Sequence, residues 1–74
     1  MHYVYVIKNK QGKFYIGYSS DLKRRLEEHK RSDKLHELVY YEAYQLEKSA
    51  RQRERKLKYY GSAWRGLKKR VVNN

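Results

Sequence analysis

Tyr5, Tyr15, Arg25, His29 and Glu54 are the side chains of this sequence whose types and spacing could do chemistry together. An imidazole moves protons near neutral pH unaided, because its ordinary pKa is about 6.5. A phenol, with a pKa of about 10, needs cationic neighbours or a metal before it can act as a base. A guanidinium stays protonated and offers a planar fork to phosphate oxygens, so Arg25 can stabilise negative charge but cannot take up a proton. A lone carboxylate such as Glu54 suits magnesium, which keeps several waters and binds through one or two carboxylates plus substrate phosphate.

Taken singly, each of these residues has an ordinary alternative. Tyr5 and Tyr15 could be strand aromatics with their hydroxyls in water. Arg25 could lay its stem over apolar surface, and His29 could ease the dipole at a helix end. Glu54 could pair with Lys58 at i,i+4 as a solvated ion pair. The set gains weight from the elements that must position it.

The organising stretch is Phe14 to His29, FYIGYSSDLKRRLEEH. Phe14, Tyr15 and Ile16 read as a strand, which Gly17 ends where backbone must turn or come close to another group. Ser19, Ser20 and Asp21 supply N-cap chemistry for a helix. At about 100° per residue, Leu22, Leu26 and His29 share one side of that helix, and Arg25 lies about 60° from Leu22 on the same edge. Lys23, Arg24, Glu27, Glu28, Lys30 and Arg31 take the other side, with Asp21/Arg25, Arg24/Glu28 and Glu27/Arg31 spaced as weak i,i+4 pairs. Arg25 and His29 are thus the polar groups that lean inward. A strand passing through a glycine into a basic helix is a good place to hold a phosphate.

Around this stretch, Tyr3 to Ile7 forms a first strand, with Tyr3, Tyr5 and Ile7 on one face and Val4 and Val6 on the other. Asn9 to Gly12 is a polar turn and Lys13 to Tyr18 a second strand, an antiparallel hairpin that brings Tyr5 near Tyr15 in a register the sequence leaves open. The helix from Asp21 to Arg31 leads through a polar connection, Ser32 to His36, into a third strand, Leu38 to Tyr44. A second helix from Leu46 to Tyr59 carries Leu46, Ala50 and Leu57 on one stripe, Glu54 about 60° from its centre, and Gly61 as a C′ residue. Ser62 to Val72 forms a third, basic helix with Trp64, Leu67 and Val71 toward the core, and the final two asparagines fray. The order ββαβαα predicts an α+β fold, a three-stranded antiparallel sheet flanked by helices that cover at least one face.

Seventy-four residues suffice for one domain that buries about 60% of its unfolded surface, so any site lies in a shallow groove. There is no cysteine, which excludes disulfides and thiolate metal sites. No apolar run approaches the roughly 20 residues of a membrane span, and the expectation is a cytoplasmic protein without membrane contact. Nineteen lysines and arginines against eight acids leave a net charge of +11, which favours a polyanion, nucleic acid first, over a merely soluble basic surface. Nine tyrosines among these cations suit base and sugar contacts.

Tyr3-Val4-Tyr5, Tyr15-Ile16-Gly17, the SxDLxRRLxxH helix and the later Arg53-Glu54 pair together resemble the GIY-YIG nuclease superfamily. The similarity spans almost the whole chain and is greatest to small single-domain members, relatives of the N-terminal nuclease module of the bacterial excision-repair excinuclease. The resemblance implies a metal-dependent endonuclease that hydrolyses phosphodiester bonds, in a family with links to DNA repair. It assigns the motif tyrosines to Tyr5 and Tyr15, the helical arginine to Arg25, a histidine-or-tyrosine position to His29, the metal-binding glutamate to Glu54 with Mg2+ or Mn2+, and the closely approached glycine to Gly17. Two departures stand out: Tyr3 replaces the opening glycine, and Tyr18 stands where many relatives carry a small residue or lysine.

Substrate binding falls to Gly17 and to the basic helices through Lys56, Lys58, Arg65, Lys68, Lys69 and Arg70. DNA is favoured over RNA, with structure-selective or weakly specific contact, since nothing resembles a base-reading element. A second copy or a partner protein could assist. The rival reading is a non-catalytic DNA- or RNA-binding module of the same fold, and Glu54 is the residue that binding alone would not require.

Overall fold

A computed structural model describes residues 1–32 and 36–72. The chain runs β1 (His2–Lys8), β2 (Phe14–Ser19), α1 (Leu22–Ser32), β3 (Glu37–Tyr44), α2 (Glu47–Tyr59) and α3 (Gly61–Val72). The strands form one antiparallel sheet in the order β2-β1-β3, the α+β arrangement the sequence predicts. The most apolar strand is central: Val4, Tyr5, Val6 and Ile7 are all at most 2% exposed. The β1–β2 turn is closed by Asn9, whose side-chain oxygen accepts the N–H groups of Gln11 and Lys13, each at 2.9 Å. Gly12 completes the turn at φ 83°, a backbone region that side chains with a Cβ resist.

Alternation along the strands gives the sheet two different faces. Val4 and Val6 join Ala50 and Leu57 of α2 and Leu67 and Val71 of α3 in the core, with Phe14, Ile16 and Tyr18 packed against it. Trp64 meets Phe14 edge-on at 5.6 Å between ring centroids. Burying a leucine such as Leu57 or Leu67 stabilises by about 2 kcal/mol. The opposite face presents Tyr3, Tyr5 and Ile7 beside Ser19, Gly17 and Tyr15 of β2, in the register Tyr3↔Ser19, Tyr5↔Gly17, Ile7↔Tyr15. α1 crosses this face with Leu22 and Leu26 half-buried and no residue fully buried.

Several details differ from what the sequence predicts. Lys13 belongs to the turn, because its N–H and C=O both bond Asn9. Asp21 caps α1 from outside it, accepting the Arg24 N–H at 3.1 Å. With that carboxylate occupied, Arg25 pairs with Glu28 at 3.2 Å instead, while the expected Arg24–Glu28 pair forms at 3.7 Å. No Glu27–Arg31 ion pair forms among the described residues. Leu46 precedes α2 at its N-cap and is 66% exposed, so the buried stripe is Ala50 and Leu57 alone. Gly61 is not a left-handed C′ residue but the first residue of α3. The corner needs none, since the Tyr60 N–H closes α2 on the Lys56 carbonyl while its own carbonyl accepts the Ala63 N–H. Val39 is an extra residue opposite β1, between Tyr40 facing Val6 and Leu38 facing Ile7. The last two asparagines and most of the 32–36 connection lie outside the described residues.

A polar cluster ties β3 to α2 on the core side. Arg53 donates to Glu42 from Nε at 3.0 Å and Nη2 at 3.1 Å, and the Tyr40 and Tyr44 hydroxyls donate to the same carboxylate. The Glu42 side chain is 17% exposed. Burial favours its neutral form, but the hydrogen bonds from Arg53, Tyr40 and Tyr44 outweigh that and hold it below the ordinary carboxylate range. Burial, then the bond to Glu42 and its charge, push the Tyr44 phenol up to about 12.

The signs of these shifts fix a pH window. Glu42 contributes stability that is present above its unfolded pKa and lost as pH falls through the folded value. Tyr44 contributes stability that is present below its ordinary 10.0 and lost as pH rises from there to about 12. Replacing Arg53 by alanine leaves the carboxylate half-buried without its cation. Urea unfolding at pH 7 should then show a loss of about 2 kcal/mol, and the acid limb of the stability curve should shrink.

Candidate active site

The site is built on the Tyr5–Gly17 pair. Facing each other across the hairpin, they leave the Tyr5 ring lying over a residue with no side chain. A Cβ at Gly17 would stand 2.5 Å from Tyr5 Cζ and closer still to its hydroxyl oxygen, far inside van der Waals contact. The close approach expected at Gly17 is therefore an approach by Tyr5. Tyr15, two residues from Gly17 on the same face, stands on the diagonal from Tyr5 and is 49% exposed.

α1 completes this half of the site. Arg25 Nε–H donates to the Tyr5 hydroxyl at 3.4 Å, and His29 Nε2 lies 3.1 Å from the same oxygen. The Tyr5 and His29 rings meet edge-on at 5.9 Å. Arg25 and His29 are one helical turn apart, so both reach one phenol. Burial lowers the His29 pKa, and the charges of Arg25 and His36 lower it further against a smaller opposing pull from Glu28. His29 is therefore neutral at pH 7, and its Nε2 can accept the Tyr5 proton, which leaves the ring hydrogen on Nδ1. Hydrogen bonds to Tyr5 and Glu28 raise the Arg25 pKa and keep it cationic.

Glu54 comes from the other side of the sheet. α2 packs on the core face, yet Glu54 and Lys58 line the same cleft of about 360 Å³ as Tyr5, Tyr15, Gly17, Arg25 and His29. This is possible because β2 is an edge strand: no further strand walls one face from the other. Lys58 Nζ meets the Glu54 carboxylate at 3.0 Å, so the ordinary i,i+4 pairing that the sequence allows is present within the cleft.

The structure adds His36, which the sequence does not single out, and gives a setting to Tyr18, noted in the sequence only as a departure from the family pattern. His36, placed in a connecting segment, donates from Nδ1 to the His29 carbonyl at 2.9 Å and meets the His29 ring edge-on at 5.5 Å. Nothing in its spacing marks it, because the contact depends on where β3 begins. Tyr18 also borders the cleft and donates to Glu47 at 3.1 Å beneath the Arg51 guanidinium, 4.4 Å above its ring. Burial and then Glu47 raise its phenol pKa, which disfavours it as a base. Of the six expected nucleic-acid-binding cations, all are exposed, and Lys58 alone borders the cleft; Lys56, Arg65, Lys68, Lys69 and Arg70 stand on the outer surfaces of α2 and α3.

The donors fit some metals and not others. Among the described residues no group of three or more His, Asp or Glu side chains could cage a metal ion, and Glu54 is the one carboxylate lining the cleft. A fully ligated zinc site is therefore not built here. A hydrated magnesium or manganese ion, held by one carboxylate and completed by substrate phosphate, is compatible with the set.

The His29 environment gives a direct measurement. NMR titration of the imidazole should show a midpoint below the ordinary 6.5. Arg25→Met should move that midpoint upward by removing the nearby positive charge. Gly17→Ala should displace the Tyr5 ring and disperse the Tyr5–His29 contacts in nuclear Overhauser spectra, while far-UV circular dichroism keeps the native fold.

Known proteins resemble this chain in sequence and in fold. The GIY-YIG catalytic domain profile matches residues 1–69. UPF0213 proteins from Staphylococcus aureus strains Mu50 and N315 are each 35% identical, over 80% of this chain and 82% of theirs. The solution NMR structure of a UPF0213 protein from Bacillus halodurans superposes with a TM-score of 0.61 at 28% identity, covering 97% of this chain and 82% of that one. With its two tyrosine motifs on paired strands and its helical arginine over them, the chain belongs to the GIY-YIG family.

Proposed function

We propose that this protein is a metal-dependent endonuclease that hydrolyses phosphodiester bonds in DNA, with structure-selective or weakly sequence-specific recognition. The observation that carries the proposal is the convergence of Glu54 with Tyr5, Tyr15, Arg25 and His29 on one cleft from opposite sides of the sheet. A structural ion pair alone gives no reason for that meeting.

In this reading Tyr5 takes the proton of the attacking water. Its own hydroxyl proton passes to His29 Nε2, 3.1 Å away, while Arg25 Nε steadies the developing phenolate. The remaining guanidinium N–H groups of Arg25 face phosphate oxygens as negative charge builds there. Tyr15, exposed at the cleft mouth, orients the water or the phosphate. Glu54 would hold a magnesium or manganese ion, and such an ion supplies Lewis acidity at the leaving oxygen. Lys58 shifts from Glu54 to the substrate backbone, and Lys56, Arg65, Lys68, Lys69 and Arg70 bind phosphates farther out. The protein acts in the cytoplasm. Among the described residues no helix is long and apolar enough to cross a membrane.

The Lys58–Glu54 pair is the observation favouring the second reading, a non-catalytic DNA- or RNA-binding module. Glu54→Ala separates the two. For a nuclease, magnesium-dependent plasmid nicking should fall about 10²-fold or more, while DNA affinity in chelator stays near wild type. Absence of cleavage by the wild-type protein on plasmid, branched DNA and RNA would leave the binding module.

The pH profile tests the proton path. Protonated His29 cannot accept from Tyr5, so kcat/KM should rise with pH through the His29 midpoint, below 6.5. His29→Ala should remove that limb. If Tyr5→Phe kept near wild-type cleavage and His29→Ala abolished it, the two roles would be exchanged.

A further inference from the structure

Most of the aromatic residues in this chain are engaged by other side chains, but Tyr59 and Tyr60 are 77% and 61% exposed, side by side at the corner between α2 and α3. Among the described residues neither ring pairs with another aromatic ring or lies beneath a cation. The backbone of the corner is hydrogen-bonded despite its exposure. The Tyr60 N–H bonds the Lys56 carbonyl at 2.9 Å, and the Tyr60 carbonyl accepts the Ala63 N–H at 3.0 Å, with no loop between the helices.

The surroundings are cationic. Arg55 and Lys56, both exposed, are the i−4 and i−3 neighbours of Tyr59 on the helix surface. The Arg65 guanidinium turns back toward the corner, 3.8 Å from where a Cβ on Gly61 would stand. None of these three takes part in an ion pair among the described residues. Exposed rings among unpaired cations suit a polyanion with flat faces and are poorly matched to an apolar protein partner. The corner stands apart from the cleft lining: Tyr59 follows Lys58 directly but points about 140° around the helix from Glu54, so a strand on the corner is held away from the cleft residues.

We propose that Tyr59 and Tyr60 form a stacking platform for unpaired bases of the substrate strand, so that a single-stranded or splayed segment is preferred over continuous duplex. The proposal rests on the nuclease reading and names its substrate class. Within a duplex each base face is already covered by its neighbours, and a tyrosine ring finds a free face only where bases are unpaired. Every base offers such a face, so the platform selects strand structure and not sequence.

The test measures fluorescence anisotropy of a labelled single-stranded oligonucleotide and of the same sequence as a duplex, in chelator, with the full chain. Wild type should bind the single strand more tightly. The Tyr59→Ala/Tyr60→Ala double variant should lose about tenfold or more on the single strand and little on the duplex. Tyr59→Phe/Tyr60→Phe, which keeps both ring faces, should restore single-strand affinity. Thermal melting of each variant separates lost stacking from lost fold. Equal losses on both probes, no loss on either, or failure of the phenylalanine variant to restore binding would overturn the platform while leaving the nuclease reading to the Glu54→Ala result. Absence of binding by wild type to either probe would overturn both.

Discussion

The close approach of the Tyr5 phenol to the Gly17 backbone is the constraint on which the site depends. Tyr5 lies on the central strand and is 2% exposed, yet its hydroxyl must reach groups on α1. The ring does this by crossing the adjacent strand where that strand has no Cβ. Any larger residue there would lift the ring toward α1 and break the geometry with Arg25 and His29. The glycine gives up strand propensity so that a buried residue can present one polar atom to the cleft.

Two helices approach this phenol under different rules. α2 is anchored by the buried side chains of Ala50 and Leu57 and by the Arg53–Glu42 cluster, so Glu54 stands on a rigid element. α1 has no buried side chain, and it is held by half-buried leucines, the Asp21 cap and the polar contacts to Tyr5. Rigid placement suits a lone carboxylate, which has no second acid to correct its position. The weaker hold on α1 leaves Arg25, 49% exposed in its side chain, able to follow a phosphate in the proposed reaction.

Much of this is legible in the sequence, for identifiable reasons. Alternation in YVYVI separates Tyr5 from Val4 and Val6, and the 3.6-residue period sets Arg25 and His29 on the inward side of α1. Local signals therefore find each catalytic candidate on its own element. Relations between elements are not legible. The Tyr5↔Gly17 register depends on the detailed closure of the Asn9 turn, and Glu54 reaches the cleft because β2 is an edge, a property of strand order. Leu46 and Gly61 depart from the expected roles because both sit at helix junctions, where capping geometry overrides the apolar period. His36 escapes sequence reasoning because its partner is a backbone carbonyl, which no side-chain pattern reveals.

The adjacency of Arg53 and Glu54 shows how so small a chain combines structure and chemistry. On a helix, consecutive residues point about 100° apart, so one turns to the sheet and the other to the cleft. Arg53 holds the core-side carboxylate of Glu42 with two guanidinium nitrogens, which fixes the rotation of α2 about its own axis. That rotation sets the direction of Glu54. A surface helix would ordinarily gain its rotational setting from a wide apolar stripe, but α2 buries only Ala50 and Leu57. The polar cluster thus supplies directional hydrogen bonds where apolar contacts are few, and the aim of the cleft carboxylate depends on an ion pair on the adjoining face of the same helix.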